Sequence, residues 1–181
     1  MLETILIILA VLAVIVIALV VVVATRSSDF RITRSAAMSA PAADVFAQVN
    51  DFHHWDAWSP WAKIDPTMKQ TYEGATTGTG AIYSWSGDGK AGQGRMTITE
   101  SRPSDLILIK LEFMKPFQAT HTAEFTFKPD ANQTLVTWSM FGSKNFMLKA
   151  FGLFMNMDKM LGPEFEKGLA SMKSVVEAKR S

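Results

Sequence analysis

Side chains able to transfer protons or ligate metals are sparse in this sequence, which holds three histidines and no cysteine. His53 and His54 sit close to Asp51 and Asp56. Adjacent helix residues point to different sides, and Asp51 with His54 supplies too few donors for a metal ion, so this group reads as solvated helix surface. His121 differs because it alternates with Ala119, Ala123, Phe125 and Phe127, which puts it on the covered face of a strand. There its imidazole could donate to a ligand carbonyl or carboxylate, or act as an acid or base near neutral pH. The commoner arrangement for a buried histidine is a hydrogen bond to a backbone carbonyl or to a hydroxyl such as that of Tyr83. No GxSxG elbow, HExxH helix or cysteine nucleophile is present. Arg95 and Glu100, an odd number of residues apart on one strand, are expected on opposite faces. Glu112 and Glu124 fall on the polar face and make a poor buried acid–base pair. The glycines at 74, 78, 80, 87, 89, 92 and 94 form neither GxGxxG nor a Walker loop and read as turns and bulges. No metal and no cofactor is expected.

Aromatic and thioether side chains carry more information. Trp58-Ser59-Pro60-Trp61 has two readings: the indoles wall a cavity mouth and stack on a flat apolar ligand, or they plug one end of the core. Tyr83, Trp85, Phe113, His121, Phe125, Trp138 and Met140 all fall on inward strand positions. Such a set either packs solid or leaves a hollow under whatever covers the sheet. Methionine is frequent, 11 in all, and Met147, Met155, Met157, Met160 and Met172 occur where the last helices cover the strands. Flexible thioethers suit a surface that reshapes around varied apolar ligands, and equally serve as core filler.

The elements that must position these residues follow from hydrophobic period. A first strand starts at Phe30, where Phe30, Ile32 and Arg34 alternate with Arg31, Thr33 and Ser35; Arg31 and Arg34 suit its exposed face. Pro41 opens a short helix with Val45, Phe46 and Val49 inward, and a second short helix spans Asp51–Trp58. Strands are predicted at Lys69–Gly74, Gly80–Gly87, Gln93–Ser101, Leu106–Met114, Phe117–Lys128 and Thr134–Phe141, with Gly87-Asp88-Gly89 as a turn. In the last three, rows such as Ile107, Ile109, Leu111 and Phe113 oppose Leu108, Lys110 and Glu112. One apolar and one polar face marks an antiparallel sheet covered on one side. Its cover is an apolar helix at Phe146–Met155 and a last helix that Pro163 starts or restarts. Leu161, Phe165, Leu169, Met172 and Val176 form the stripe of that helix, and Lys167, Lys173, Glu177 and Lys179 fall off it.

Before the first strand, every residue from Ile5 to Ala24 is Ile, Leu, Val or Ala. At 1.5 Å rise these roughly 20 residues match the ~30 Å hydrocarbon core of a bilayer. A transmembrane helix over residues 4–25, joined by a linker at 26–29 to a domain at 30–180, is expected; the alternative is a cleaved signal peptide. No Lys or Arg precedes the run, and it exceeds the usual ~7–15 residues of a signal segment. Arg26, Arg31 and Arg34 follow the span, which favours a cytoplasmic domain. The formal net charge of +1 argues against nucleic acid as a partner.

The order β-α-α, several strands, then α resembles the helix-grip fold of the SRPBCC or START-like superfamily, whose members include polyketide cyclase/dehydrase-like and lipid-transfer proteins. The residues carrying the resemblance are Ala40-Pro41-Ala42-Ala43-Asp44-Val45-Phe46, Val49-Asn50-Asp51, Trp55-Asp56-Ala57-Trp58-Ser59-Pro60-Trp61, Gly92-Gln93-Gly94-Arg95-Met96-Thr97-Ile98 and the stretch from Phe146 to Leu169. The resemblance implies an α+β fold in which a curved antiparallel sheet wraps a long C-terminal helix over an apolar cavity. Its nearest look-alikes are membrane-anchored bacterial members, implying a single-pass protein of the inner membrane. Expected cavity-lining residues are Trp58, Trp61, Tyr83, Trp85, Phe113, His121, Phe125, Trp138, Met140, Met157, Met160 and Phe165. The expected partner is a hydrophobic small molecule or lipid. A cyclase/dehydrase-like enzyme using His121 and Tyr83 is the alternative, and an interaction module like the activators of heat-shock chaperone ATPases is a third. No protein partner is named by the sequence.

Overall fold

The structure is a computed structural model that describes residues 1–62, 64–88, 91–153 and 155–178. Gly89 and Lys179 lie outside the described residues. Helix α1 (Leu2–Thr25) comes first and is long and apolar enough to cross a membrane. Then follow β1 (Asp29–Met38), α2 (Ala42–Asn50), a 3₁₀ helix (Phe52–Ala57), β2 (Lys69–Gly74), β3 (Ala81–Ser86), β4 (Gln93–Arg102), β5 (Leu106–Lys115), β6 (Ala119–Asp130), β7 (Gln133–Ser143), α3 (Phe146–Phe151) and α4 (Met157–Ala178). The strands form one seven-stranded antiparallel sheet in the order β1-β7-β6-β5-β4-β3-β2. With α2 and α4 on one face, this is the α+β helix-grip fold expected from the sequence.

Period-2 alternation sorts each strand. Ile107 and Ile109 of β5, Ala123, Phe125 and Phe127 of β6, and Val136, Trp138 and Met140 of β7 are buried beneath the helices. Thr134 is buried with its hydroxyl donating to the Ala40 carbonyl at 2.7 Å, which ties β7 to the entry of α2. On α2, Val45, Phe46 and Val49 turn to the core. Asp51 then caps the 3₁₀ helix by accepting from the His53 backbone N–H at 2.9 Å, so Phe52 and Trp55 enter the core.

Three local expectations are corrected. Helix α4 starts at Met157 and carries Pro163 inside it. The proline therefore neither starts nor restarts the helix; it forfeits one interior hydrogen bond, while Phe165, Leu169, Met172 and Val176 stay buried around it. Arg34 is not on the exposed face with Arg31. It pairs in register with Trp138 on the covered side, and its guanidinium donates to Asp158 at 2.9 Å and Glu166 at 2.7 Å on α4. An odd spacing in a strand forces that separation. Arg95 and Glu100 share a face despite their odd spacing, because a bulge shifts the β4–β5 register between Ile98 and Glu100. Arg31 itself pairs with Glu124 at 3.1 Å, so of the three arginines after α1 only Arg26 lacks an ion pair among the described residues.

Candidate functional site

The concave side of the sheet does not pack solid. A cavity of about 280 Å³ remains between β3–β7, the loop after the 3₁₀ helix and the first half of α4. Strand parity supplies one wall: Tyr83 and Trp85 of β3, Leu111 and Phe113 of β5, Ala123 of β6, and Trp138 and Met140 of β7. The stripe of α4 supplies Leu161 and Phe165, and the loop adds Ser59, Trp61, Ala62, Ile64 and Met68, with Trp55 and Asp56 beside them.

The wall is held by ring packing. Trp138 lies flat on Phe165, centroids 4.1 Å apart and planes 7° from parallel, with Phe125 stacked on it at 4.9 Å. Trp61 meets both Trp138 and Phe165 edge-on, at 5.6 and 6.0 Å. Gly168 lets α4 approach this group so closely that a Cβ there would stand 2.9 Å from Trp138 Cζ3. Trp85 donates its indole N–H to the Ala91 carbonyl at 3.0 Å and meets Phe113 edge-on at 6.0 Å. Rings packed against one another in this way frame the cavity.

The polar content is small. Asp56, Ser59 and Tyr83 are the lining residues that carry a carboxylate or hydroxyl. Burial, with the nearby Tyr72 and Asp56, pushes the Tyr83 phenol well above its usual range and keeps it protonated at neutral pH. Trp138 Nε1 is buried and has no hydrogen-bond acceptor among the described residues. A buried donor left without an acceptor is costly.

His121 does not reach this wall. It is buried at the next position along β6, boxed by Phe30 edge-on at 4.8 Å and by Phe113 at 6.1 Å. A Cβ on Gly142 would stand 2.7 Å from its Nδ1, so the glycine makes room for the ring. Nδ1 has no partner among the described residues, while the Thr120 backbone beside the ring favours its protonated form against the larger effect of burial. Burial holds the imidazole pKa below its ordinary value. Trp85 and Phe113 stand between it and Tyr83, so the two do not form a proton-transfer pair.

Of the residues expected to line the cavity, Trp61, Tyr83, Trp85, Phe113, Trp138, Met140 and Phe165 do so. Trp58 is 2% exposed and donates its indole N–H to the Gln48 carbonyl at 3.0 Å. It plugs the core, and Phe125 packs solid beside it. Met157 packs against the core outside the cavity, and Met160 is 48% exposed. Leu111, Ala123 and Leu161 were within reach of the same alternation and stripe that gave their neighbours. Ala62, Ile64, Met68 and Ala91 sit in loops without a period, so nothing in the sequence flagged them. Among the described residues no group of three His, Cys, Asp or Glu could hold a metal ion.

Comparison with known proteins matches this arrangement. A Staphylococcus aureus protein of unknown function superposes with a TM-score of 0.64 at 11% identity, over 86% of this chain and 98% of its own. The Aha1 dimer protein of Colwellia psychrerythraea gives 0.58 at 12% identity, over 82% and 96%. The di-domain ARO/CYC protein StfQ from the steffimycin biosynthetic pathway gives 0.62 at 13% identity, over 84% of this chain and 52% of its own. At these identities the likeness is one of fold. No curated protein matches the sequence. The family model described as polyketide cyclase / dehydrase and lipid transport matches residues 29–177, every element from β1 to nearly the end of α4, and the chain belongs to that family.

Proposed function

We propose that the chain is a membrane-tethered binding protein for a hydrophobic small molecule or lipid, held between the sheet and α4. One observation carries the reading: rings locked by their neighbours keep a cavity of about 280 Å³ open beneath α4. Apolar walls with few polar groups suit a ligand bound by burial, at ~25 cal/mol per Å² of apolar area. An engineered cavity of ~150 Å³ holds benzene, so this one suits a ligand portion of one or two rings or a folded acyl segment. Helix α1 serves as the anchor, in a bacterial inner membrane, keeping the cavity where such ligands partition.

Native mass spectrometry of the full chain, released from detergent micelles, tests the binding. The wild type retains an added small hydrophobic mass, and Ala123→Phe, which sets a ring into the cavity from β6, does not. Equal retention by a well-folded Ala123→Phe variant refutes the assignment.

A cyclase/dehydrase-like activity is the second reading, and one observation favours it: Tyr83, whose phenol is held protonated, is among the residues lining the cavity. His121, set behind Phe113, takes no part in it. Tyr83→Phe abolishes turnover under this reading and leaves ligand retention intact under the first.

A further inference from the structure

A second feature gathers at the end of the sheet where α1 enters. Strand register shows which residues share that end. Phe30 pairs with Gly142, Gly142 with His121, and His121 with Leu111. One step further out, Phe113 pairs with Gly94, and Gly94 with Trp85. The cavity's Leu111, Phe113 and Trp85 thus stand on the rows nearest α1.

Helix α3 leaves β7 at the same end and packs on the last turns of α1. Val23 is buried there, and Lys149 Nζ donates to the Ala24 carbonyl at 3.3 Å, one of the carbonyls a helix end leaves without an intrahelical partner. Yet large apolar side chains on α3 and just after it face outward. Phe146 and Met147 are each 52% exposed, Phe151 47% and Met155 49%. Phe117, from the turn between β5 and β6, is 50% exposed, with its ring 6.0 Å from Phe151. Lys115, Lys144 and Lys159 flank these residues in sequence and carry no ion pair among the described residues. Contiguous exposed apolar side chains edged with unpaired lysines, beside the end of a bilayer-length helix, have the composition of a membrane-interface surface.

We infer that α3 and the Phe117 turn form a second membrane contact, inserting into the headgroup layer of the leaflet that α1 leaves, so that the cavity rows bearing Leu111, Phe113 and Trp85 lie toward the bilayer. This rests on the reading of α1 as an anchor. A docked α3 holds the domain in one orientation where a single-helix tether alone would let it swing. Lysines favour an anionic leaflet, each worth a few-fold in affinity.

The chain has no cysteine, so single cysteines report cleanly. Val14→Cys, Phe117→Cys, Phe151→Cys and Asn132→Cys full-length variants, the last at the opposite end of the sheet, are labelled with an environment-sensitive fluorophore. They are reconstituted in phosphatidylcholine–phosphatidylglycerol vesicles with or without doxyl-labelled lipid. The expected result is a blue shift and loss of emission with doxyl lipid at 14, 117 and 151, and none at 132. Quenching at 14 but not at 117 and 151 overturns the docking and leaves the anchor standing. Absence of quenching at all positions overturns both. Energy transfer between labels at 151 on different copies, without lipid quenching, shows that a second copy covers the patch and also overturns the proposal.

Discussion

Gly168 offers the sharpest test of how the cavity is kept open, because two effects there have opposite signs. In a helix interior, Gly→Ala gains up to about 1 kcal/mol from backbone propensity. At this position, however, an added Cβ would stand 2.9 Å from Trp138 Cζ3 and 3.1 Å from Pro60 Cδ. Both fall roughly 0.5 Å or more short of the optimal carbon–carbon separation. Neither neighbour can yield: Trp138 is held between Phe165 and Phe125, at 4.1 and 4.9 Å, and Pro60 is a ring fused to the backbone. Helix α4 must therefore lift, at an overpacking cost of about 1–3 kcal/mol. The net expectation for Gly168→Ala is a loss of about 0–2 kcal/mol, a fall in Tm of up to roughly 8 °C for a chain of this size. In a Trp138→Phe background, which has no atom at the Cζ3 position, the larger clash is gone. There only the Pro60 contact at 3.1 Å still opposes the propensity gain, so the same substitution costs clearly less than in the wild-type background. Thermal melts of the four full-length variants in one detergent form the double-mutant cycle. If Gly168→Ala raises Tm in the wild-type background, α4 is not pressed against Trp138 and the account of a ring-propped cavity is wrong.

Four further outcomes follow from the same geometry. Trp58→Phe removes the indole hydrogen bond to the Gln48 carbonyl and costs about 1–3 kcal/mol, leaving retention of the hydrophobic ligand unchanged; a lost ligand in a stable variant would show that Trp58 belongs to the cavity wall. His121 has its folded-state pKa depressed by burial, so its contribution is fully present above the unfolded-state value near 6.5 and is lost as pH falls through that value toward the folded one. Tm should accordingly drop as pH falls below about 6.5, and replacing His121 with an uncharged side chain should flatten that segment of the profile; an unchanged slope would assign the acid lability elsewhere. Arg34→Met breaks the exposed pairs with Asp158 and Glu166, lowering Tm slightly at low ionic strength and not at all in high salt. Trp61→Ala removes an edge-on partner of Trp138 and Phe165 and should weaken binding of a hydrophobic probe about tenfold or more, measured by fluorescence titration.

Much of this arrangement was legible in residue order because strands and helices impose fixed periods. Alternation placed Tyr83, Trp85, Phe113, Trp138 and Met140 on the inner face, and the α4 stripe placed Phe165 opposite them. What the period cannot show is which inner residues touch one another and which face empty space. Phe125 and Trp138 share a face on adjacent strands, yet Phe125 is walled in by Trp55 and Trp58 and only Trp138 meets the void. Bulges are equally invisible, which is why Arg95 and Glu100 were expected apart. Loop residues such as Ile64 and Met68 come to the cavity through the path of an irregular segment, and no local signal specifies such a path. Arg34 is the instructive exception: parity alone placed it inward, and only its charge suggested solvent.

The closing pair of the sheet joins the first strand to the last, with Asp29 opposite Ser143. A nascent chain therefore carries β1, just downstream of α1, as an unpaired edge until β7 has been synthesised, since its only neighbour in the strand order is made last. Contacts so far apart in sequence are slow to form, and an exposed strand edge invites pairing with other chains. With α1 in the membrane, that waiting edge would be held at the bilayer surface, away from other chains in solution.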